Sequence, residues 1–166
     1  QVEHRLLLTT YNIAPYGFIK ELIALIQLRM QAAPGLEARV IMNIARDRYD
    51  TSAARCLVAK FRDHTWRKLW KSSLPQPQGF YDQRSLELKR EHQAVFHVKT
   101  VVADQRLLVT SANLSDNAQK HNCELGIHYP HSGHSNAVWE HFDRLIQRGV
   151  LRSISPSEDS SDTLES

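Results

Sequence analysis

The sequence predicts an α/β protein: a mixed, mostly parallel β-sheet with helices on both faces. Three observations lead there. Apolar residues make up 42% of 166, enough to pack one domain and too many for a disordered chain. The first 44 residues read as apolar run, helical stripe, apolar run, the pattern of two parallel strands joined by a right-handed crossover. The second half adds a hairpin signal and a further amphipathic stripe, which needs a sheet face to cover.

Each element follows from its residues. In residues 5–13, Leu6-Leu7-Leu8 is followed by Thr9-Thr10-Tyr11, and Asn12 and Pro15 close the strand. Residues 18–33 read as a helix with Phe18, Leu22, Leu25, Ile26 and Arg29 in one stripe, widened by Ile19 and Ile23; Pro34-Gly35 ends it. Residues 38–44 form a nearly continuous apolar run, expected of a strand buried on both faces. Residues 52–70 read as a basic helix carrying Arg55, Lys60, Arg62, Arg67 and Lys68, interleaved with Trp66 and Trp70. Tryptophans at that spacing usually belong to a core. Residues 74–79 break the helix, and Phe80-Tyr81-Asp82 begin a short strand. Residues 84–92 read as a loop and residues 94–103 as a strand. Asp104-Gln105 turns the chain into a hairpin partner, residues 106–110. Residues 111–122 read as loop, with at most one helical turn, and residues 123–129 as a strand. Residues 135–148 are amphipathic through Val138, Phe142, Leu145 and Ile146, with Ser135 as N-cap.

Composition excludes several classes. The longest apolar-rich stretch, residues 18–30, is interrupted by Lys20, Glu21, Gln27 and Arg29, and it is shorter than the roughly 20 residues that span a bilayer. No stable membrane association is expected. Two cysteines, Cys56 and Cys123, make no disulfide framework. The start lacks both Met and a signal-peptide pattern. The expectation is therefore a cytoplasmic chain that is trimmed or excised from something longer. Residues 153–166 hold six serines, four acids and no Lys or Arg, so a disordered acidic tail is expected after a catalytic domain spanning residues 1–152. That domain carries 21 basic and 14 acidic residues, or +7, which suits a polyanionic partner.

The chemistry concentrates between His97 and Glu124. Strand alternation puts His97 and Lys99 on one side, and Ser111 and Asn113 share the same i, i+2 relation. A hairpin centred on Asp104-Gln105 pairs Lys99 with about Thr110 and His97 with about Ala112. An imidazole, an ammonium, a hydroxyl and an amide then meet at one sheet end. Lys99 supplies a point charge for an anionic oxygen, and Ser111 and Asn113 supply neutral donors. An imidazole is both base and nucleophile near neutral pH. Such a set fits a phosphate under attack, with no metal or other cofactor required. Glu124 is expected to orient His97, as a carboxylate orients the histidine of a hydrolase triad. Asp104 is expected to tie the hairpin turn through backbone amides. Tyr11, at a strand end, and Arg67 and Lys68, on the basic helix, are candidate substrate-binding residues.

His97-x-Lys99-x4-Asp104 followed by Ser111-x-Asn113 resembles the HxKx4D…SxN signature of the phospholipase D superfamily, and Asn122-x-Glu124-x-Gly126 resembles its tail. The order of elements over residues 5–149 is similar to one complete unit of that superfamily. Thr110 departs from the glycine common at its position. The resemblance implies metal-independent phosphodiester cleavage through a phosphohistidine. His97 would be nucleophile or general acid, Lys99 and Asn113 would bind the phosphate, Ser111 would support it, and Glu124 would orient the histidine. A second histidine normally comes from a second motif, and no other His here has Lys two residues on. A homodimer pairing two copies of His97 is therefore implied, unless the chain is cut from a two-motif protein. Single-motif members of this size resemble small dimeric nucleases, with DNA favoured over RNA. Ser111-Ala112-Asn113-Leu114-Ser115 and Asn122-Cys123-Glu124-Leu125-Gly126 also resemble phospholipase D-like proteins of DISARM-type phage defence. The competing readings are a phospholipid-hydrolysing enzyme and a non-catalytic nucleic-acid-binding subunit of a defence complex.

Overall fold

The two apolar runs near the N-terminus become neighbouring parallel strands in the computed structural model, which describes residues 2–131 and 133–155. β1 (Arg5–Thr10) lies beside β2 (Glu37–Met42), with Leu8 opposite Val40, and α1 (Gly17–Ala32) makes the crossover. β3 (Gln78–Asp82) extends the sheet parallel to β2. On the other side β4 (Thr100–Ala103) pairs antiparallel with β1, then β5 (Arg106–Thr110) with β4 and β6 (Gly126–Tyr129) with β5. β7 (Leu151–Ser153) closes the far edge, antiparallel to β3. The order is β6-β5-β4-β1-β2-β3-β7.

The mixed α/β class is as expected, but the balance of strand directions differs. Two neighbouring pairs are parallel and four are antiparallel. Only the connections through helices are long enough to return a strand in parallel; the β4–β5 turn is far too short for a crossover.

Helices cover both faces. Leu6, Leu8, Val40 and Met42 point to one side, against Ile19, Ile23 and Ile26 of α1 and against Trp66 and Leu69. Leu7, Ile41, Val102 and Leu107 point to the other, against Trp139 and Phe142 of α5 (Gly133–Gln147). Strand alternation distributes them so. The stripe expected on α1 is corrected: Phe18 and Leu25 are exposed. The helix carries two apolar stripes, and only one can face the sheet. Gln27 selects it, because its buried amide bonds the Lys71 carbonyl at 3.0 Å, the Pro75 carbonyl at 3.1 Å and the Lys71 amide at 2.9 Å.

The basic helical segment is present as α2 (Ala54–Phe61), a π-turn over Arg62–Trp66, and the short α3 (Arg67–Leu69). Trp66 and Trp70 are buried and meet edge-on at 5.4 Å. A Cβ on Gly79 would stand 2.7 Å from the Trp66 ring, so β3 passes the indole closely only because residue 79 is glycine. The expected loop at residues 84–92 contains two 3-10 turns, Gln83–Leu86 and Arg90–His92.

Further boundaries move: the strand expected over residues 5–13 ends at Thr10, and the one expected from residue 123 begins at Gly126. The strand expected from residue 94 begins at Thr100, because the Phe96 amide bonds the Asn43 side chain at 3.0 Å and its ring is buried against α5. Ser135 lies inside α5, fully buried, and is not its N-cap. The domain also runs past residue 152. Ser153 pairs with Phe80, and Ile154 is buried with its amide on the Gly79 carbonyl at 2.9 Å. The acids of the expected tail lie outside the described residues. No described helix is long and apolar enough to cross a membrane.

Candidate functional site

The β4–β5 ladder continues past its regular end, with the Thr110 amide on the Lys99 carbonyl at 3.1 Å. Lys99 therefore lies opposite Thr110, the register the hairpin arithmetic expects. The C-terminal ends of β1 and β5 and the N-terminal ends of β4 and β6 share this edge of the sheet. Antiparallel pairing brings there what the sequence separates by up to a hundred residues.

Lys99 is 6% exposed. Its Nζ donates to the His97 carbonyl at 3.0 Å. Burial holds its pKa below the ordinary lysine value, and the nearby Glu124 charge opposes that shift. Among the described residues no carboxylate forms an ion pair with it. His97 precedes β4 on an exposed, irregular segment, and its ring lies 5.4 Å from that of Tyr11, tilted by 59°. Tyr11 follows β1 and so borders the imidazole.

Glu124 has a different partner from the one expected. Ser111 Oγ donates to Glu124 Oε2, and Asn122 Nδ2 donates to Oε1 at 3.0 Å. Ser111 Oγ in turn accepts the Leu125 amide at 3.0 Å. The carboxylate thus orients the serine; it makes no hydrogen bond to His97. Hydrogen bonds from Ser111 and then Asn122, with the Lys99 charge, hold its pKa below the usual carboxylate value against the effect of burial. The reason is the β5–β6 pairing: the Ser111 amide bonds the Leu125 carbonyl at 2.9 Å, which sets Glu124 beside Ser111.

Asn113 is fixed by its neighbours. The Leu114 amide bonds Thr10 Oγ1 at 3.2 Å, and the Leu114 carbonyl accepts the Ala14 amide at 2.9 Å. The side-chain Oδ1 of Asn113 is buried without a hydrogen-bond partner, a polar atom that the protein leaves unsatisfied. Just beyond it, Asp116 at the start of α4 (Asp116–Lys120) accepts Lys120 Nζ at 2.7 Å, and that bond, ahead of the Phe18 and Ile19 amides, holds its pKa below the usual carboxylate value.

Asp104 sits at the opposite end of the hairpin. It takes the left-handed conformation, φ 54°, and its carboxylate accepts the amides of Glu3 at 2.7 Å, His4 at 2.8 Å and Arg5 at 2.9 Å. It binds backbone amides as expected, but those of the β1 entrance rather than of its own turn. Arg67 and Lys68 are exposed on α3 and form no hydrogen bond or ion pair with His97, Lys99 or Glu124; Arg67 pairs with Asp63 at 3.0 Å. Asn43 and Thr10, which the motif does not include, support the site, and so does Asn122 of the motif's tail, which has no role assigned from sequence. The first two carry no spacing signal. Among the described residues, no three of His, Cys, Asp and Glu are grouped to hold a metal ion.

Known proteins share this fold. The fold is similar to a phospholipase D family member, Nuc, from Salmonella typhimurium, at 13% identity and a TM-score of 0.54, over 92% of this chain and 83% of that one. It is also similar to NucT from Helicobacter pylori, at 10% identity and a TM-score of 0.58, over 92% and 83%. Phosphatidylserine synthase from Haemophilus influenzae Rd KW20 matches at 17% identity and a TM-score of 0.67, over 95% of this chain but 35% of that one. Identities this low show the fold alone. No curated protein sequence matches significantly. Residues 3–146 match the family model described as "Cardiolipin synthase, PLD-like domain". With the His97, Lys99, Ser111 and Asn113 pattern gathered at one sheet edge, the chain belongs to that phospholipase D-like domain family.

Proposed function

We propose that the protein is a metal-independent phosphodiesterase, a nuclease acting on DNA before RNA through a phosphohistidine in a homodimeric site. The observation that carries this is the buried Lys99 ammonium, unpaired with any described carboxylate, beside the exposed His97. A buried cation without a counter-ion is costly, and a phosphate oxygen meets its need. Asn113 and Ser111 add polar groups at the same edge.

In this reading an imidazole nitrogen of His97 attacks phosphorus and the P–O ester bond breaks. The leaving oxygen takes a proton from His97 of a second copy. Water then attacks the phosphohistidine, giving its proton to that second histidine, and His97 is released.

An exposed apolar patch supports the pairing of two copies. Val109 and Ile127 are register partners in β5 and β6, and are 44% and 54% exposed. Leu125, 77% exposed, and Val98, 41% exposed, extend the patch. Leu125 follows Glu124 and Val98 follows His97, so the apolar surface adjoins the site.

The test is cleavage of single- and double-stranded DNA in excess EDTA, beside hydrolysis of phosphatidylcholine vesicles. Wild-type protein is expected to cut DNA, and His97→Ala to lose about 10³-fold or more while still binding it. A second reading, hydrolysis or transfer of a phosphatidyl group, draws on the family description and the phosphatidylserine synthase likeness. Vesicle turnover with intact DNA would establish that reading and end the nuclease one.

A further inference from the structure

A cleft of about 600 Å³ opens between α1 and the segment that follows α3, within the range of ligand sites. Lys20, Lys68 and Lys71 line it, and no Asp or Glu does. None of the three forms an ion pair among the described residues, whereas Lys120 pairs with Asp116 and Arg67 with Asp63. Three unpaired ammonium groups around one cavity repel each other unless an anion joins them. Trp70 also lines the cleft, and its indole N–H is buried with no acceptor.

The cleft is joined to the site by one short loop. Tyr16 stands at its mouth, 74% exposed. Tyr11, whose ring borders His97, begins the same loop. Five residues of extended chain reach at most about 18 Å. At roughly 3.4 Å per phosphate along one strand of a duplex, that is a separation of at most about five phosphates.

We infer that this cleft is a second, non-catalytic phosphate-binding subsite, which holds a nucleic-acid strand a few nucleotides away from the bond at His97. The inference rests on the nuclease reading for its ligand. Lys20, Lys68 and Lys71 engage the backbone, and Tyr16 offers a ring for a base to stack on. The subsite favours oligomers over short phosphodiesters, because only a chain of several phosphates reaches both places at once.

Lys20→Ala/Lys71→Ala tests it, since both side chains are exposed and the cleft they line includes none of His97, Lys99, Ser111, Asn113 and Glu124. Two substrates are compared: bis(p-nitrophenyl) phosphate and a single-stranded 20-mer. The variant is expected to hydrolyse the small diester like wild type. For the 20-mer, binding weakens about tenfold near 0.1 M salt, and the salt slope falls by about 1.4. If the variant cuts the 20-mer with unchanged KM and salt slope, the subsite is wrong and the nuclease reading stands. If wild type binds the 20-mer through these lysines but cuts no DNA, the subsite stands and the nuclease reading falls. If wild type neither binds nor cuts it, both fall.

Discussion

Glu124 shows how one side chain couples the site. It accepts hydrogen bonds from Ser111 and Asn122, and its charge raises the Lys99 pKa against the burial that lowers it. Glu124→Gln removes that charge, so the Lys99 ammonium loses its proton at lower pH. The alkaline limb of kcat/KM for a chromogenic phosphodiester is then expected to move toward neutral pH. A limb that stays in place would mean Lys99 does not set it. The motif residues His97, Lys99, Ser111 and Asn113 were legible because spacing along the chain carries them. The partner of Glu124 was not, because it depends on the β5–β6 register, which nothing in residues 111–124 announces. Lys20 and Lys71 were less visible still: only the packing of α1 over the segment after α3 brings them together.

At the scale of elements, the β4–β5 hairpin was readable, because Asp104-Gln105 separates two β-rich runs. What Asp104 does there was only half readable. Its three amide partners belong to the start of β1, so the turn clamps the sheet's central strand rather than its own hairpin. Burial works to raise its pKa, but the amides of Arg5, His4 and Glu3 outweigh it, and the pKa is lowered. A carboxyl lowered on folding contributes stability above its unfolded pKa and loses it as pH falls through the folded one. Asp104→Ala is expected to cost about 2 kcal/mol near neutral pH, discounted for partial exposure. The difference in urea midpoint from wild type is expected to shrink as pH falls below the ordinary carboxylate range. A difference independent of pH would mean that turn conformation, not charge, supplies the effect. β7 escaped the sequence reading because three residues, Leu151–Ser153, are too few for a period. It forms because β3 offers an open edge and Ile154 has a core to enter.

For the whole molecule the issue is how one motif would supply the two histidines that the proposed mechanism needs. The chain covers 83% of Nuc and NucT but 35% of the phosphatidylserine synthase, and its only His-x-Lys is at residue 97. The sequence made this count legible; the surface that would answer it was not, because Val98, Val109, Leu125 and Ile127 look like ordinary core residues until α5 is seen to cover Leu107 and not them. Subunit mixing distinguishes a shared site from independent ones. Wild-type and His97→Ala chains are co-expressed in equal amounts and allowed to pair at random. If each site needs His97 from both copies, only wild-type pairs turn over, and activity per total protein falls to about one quarter of wild type; independent sites would leave about one half. Ile127→Asp supplies the structural counterpart. It places a charge on the proposed contact and is expected to give a folded monomer in light scattering, without phosphodiesterase activity. Retention of full activity by that monomer would remove the shared site, and with it the reason for the exposed patch beside Glu124.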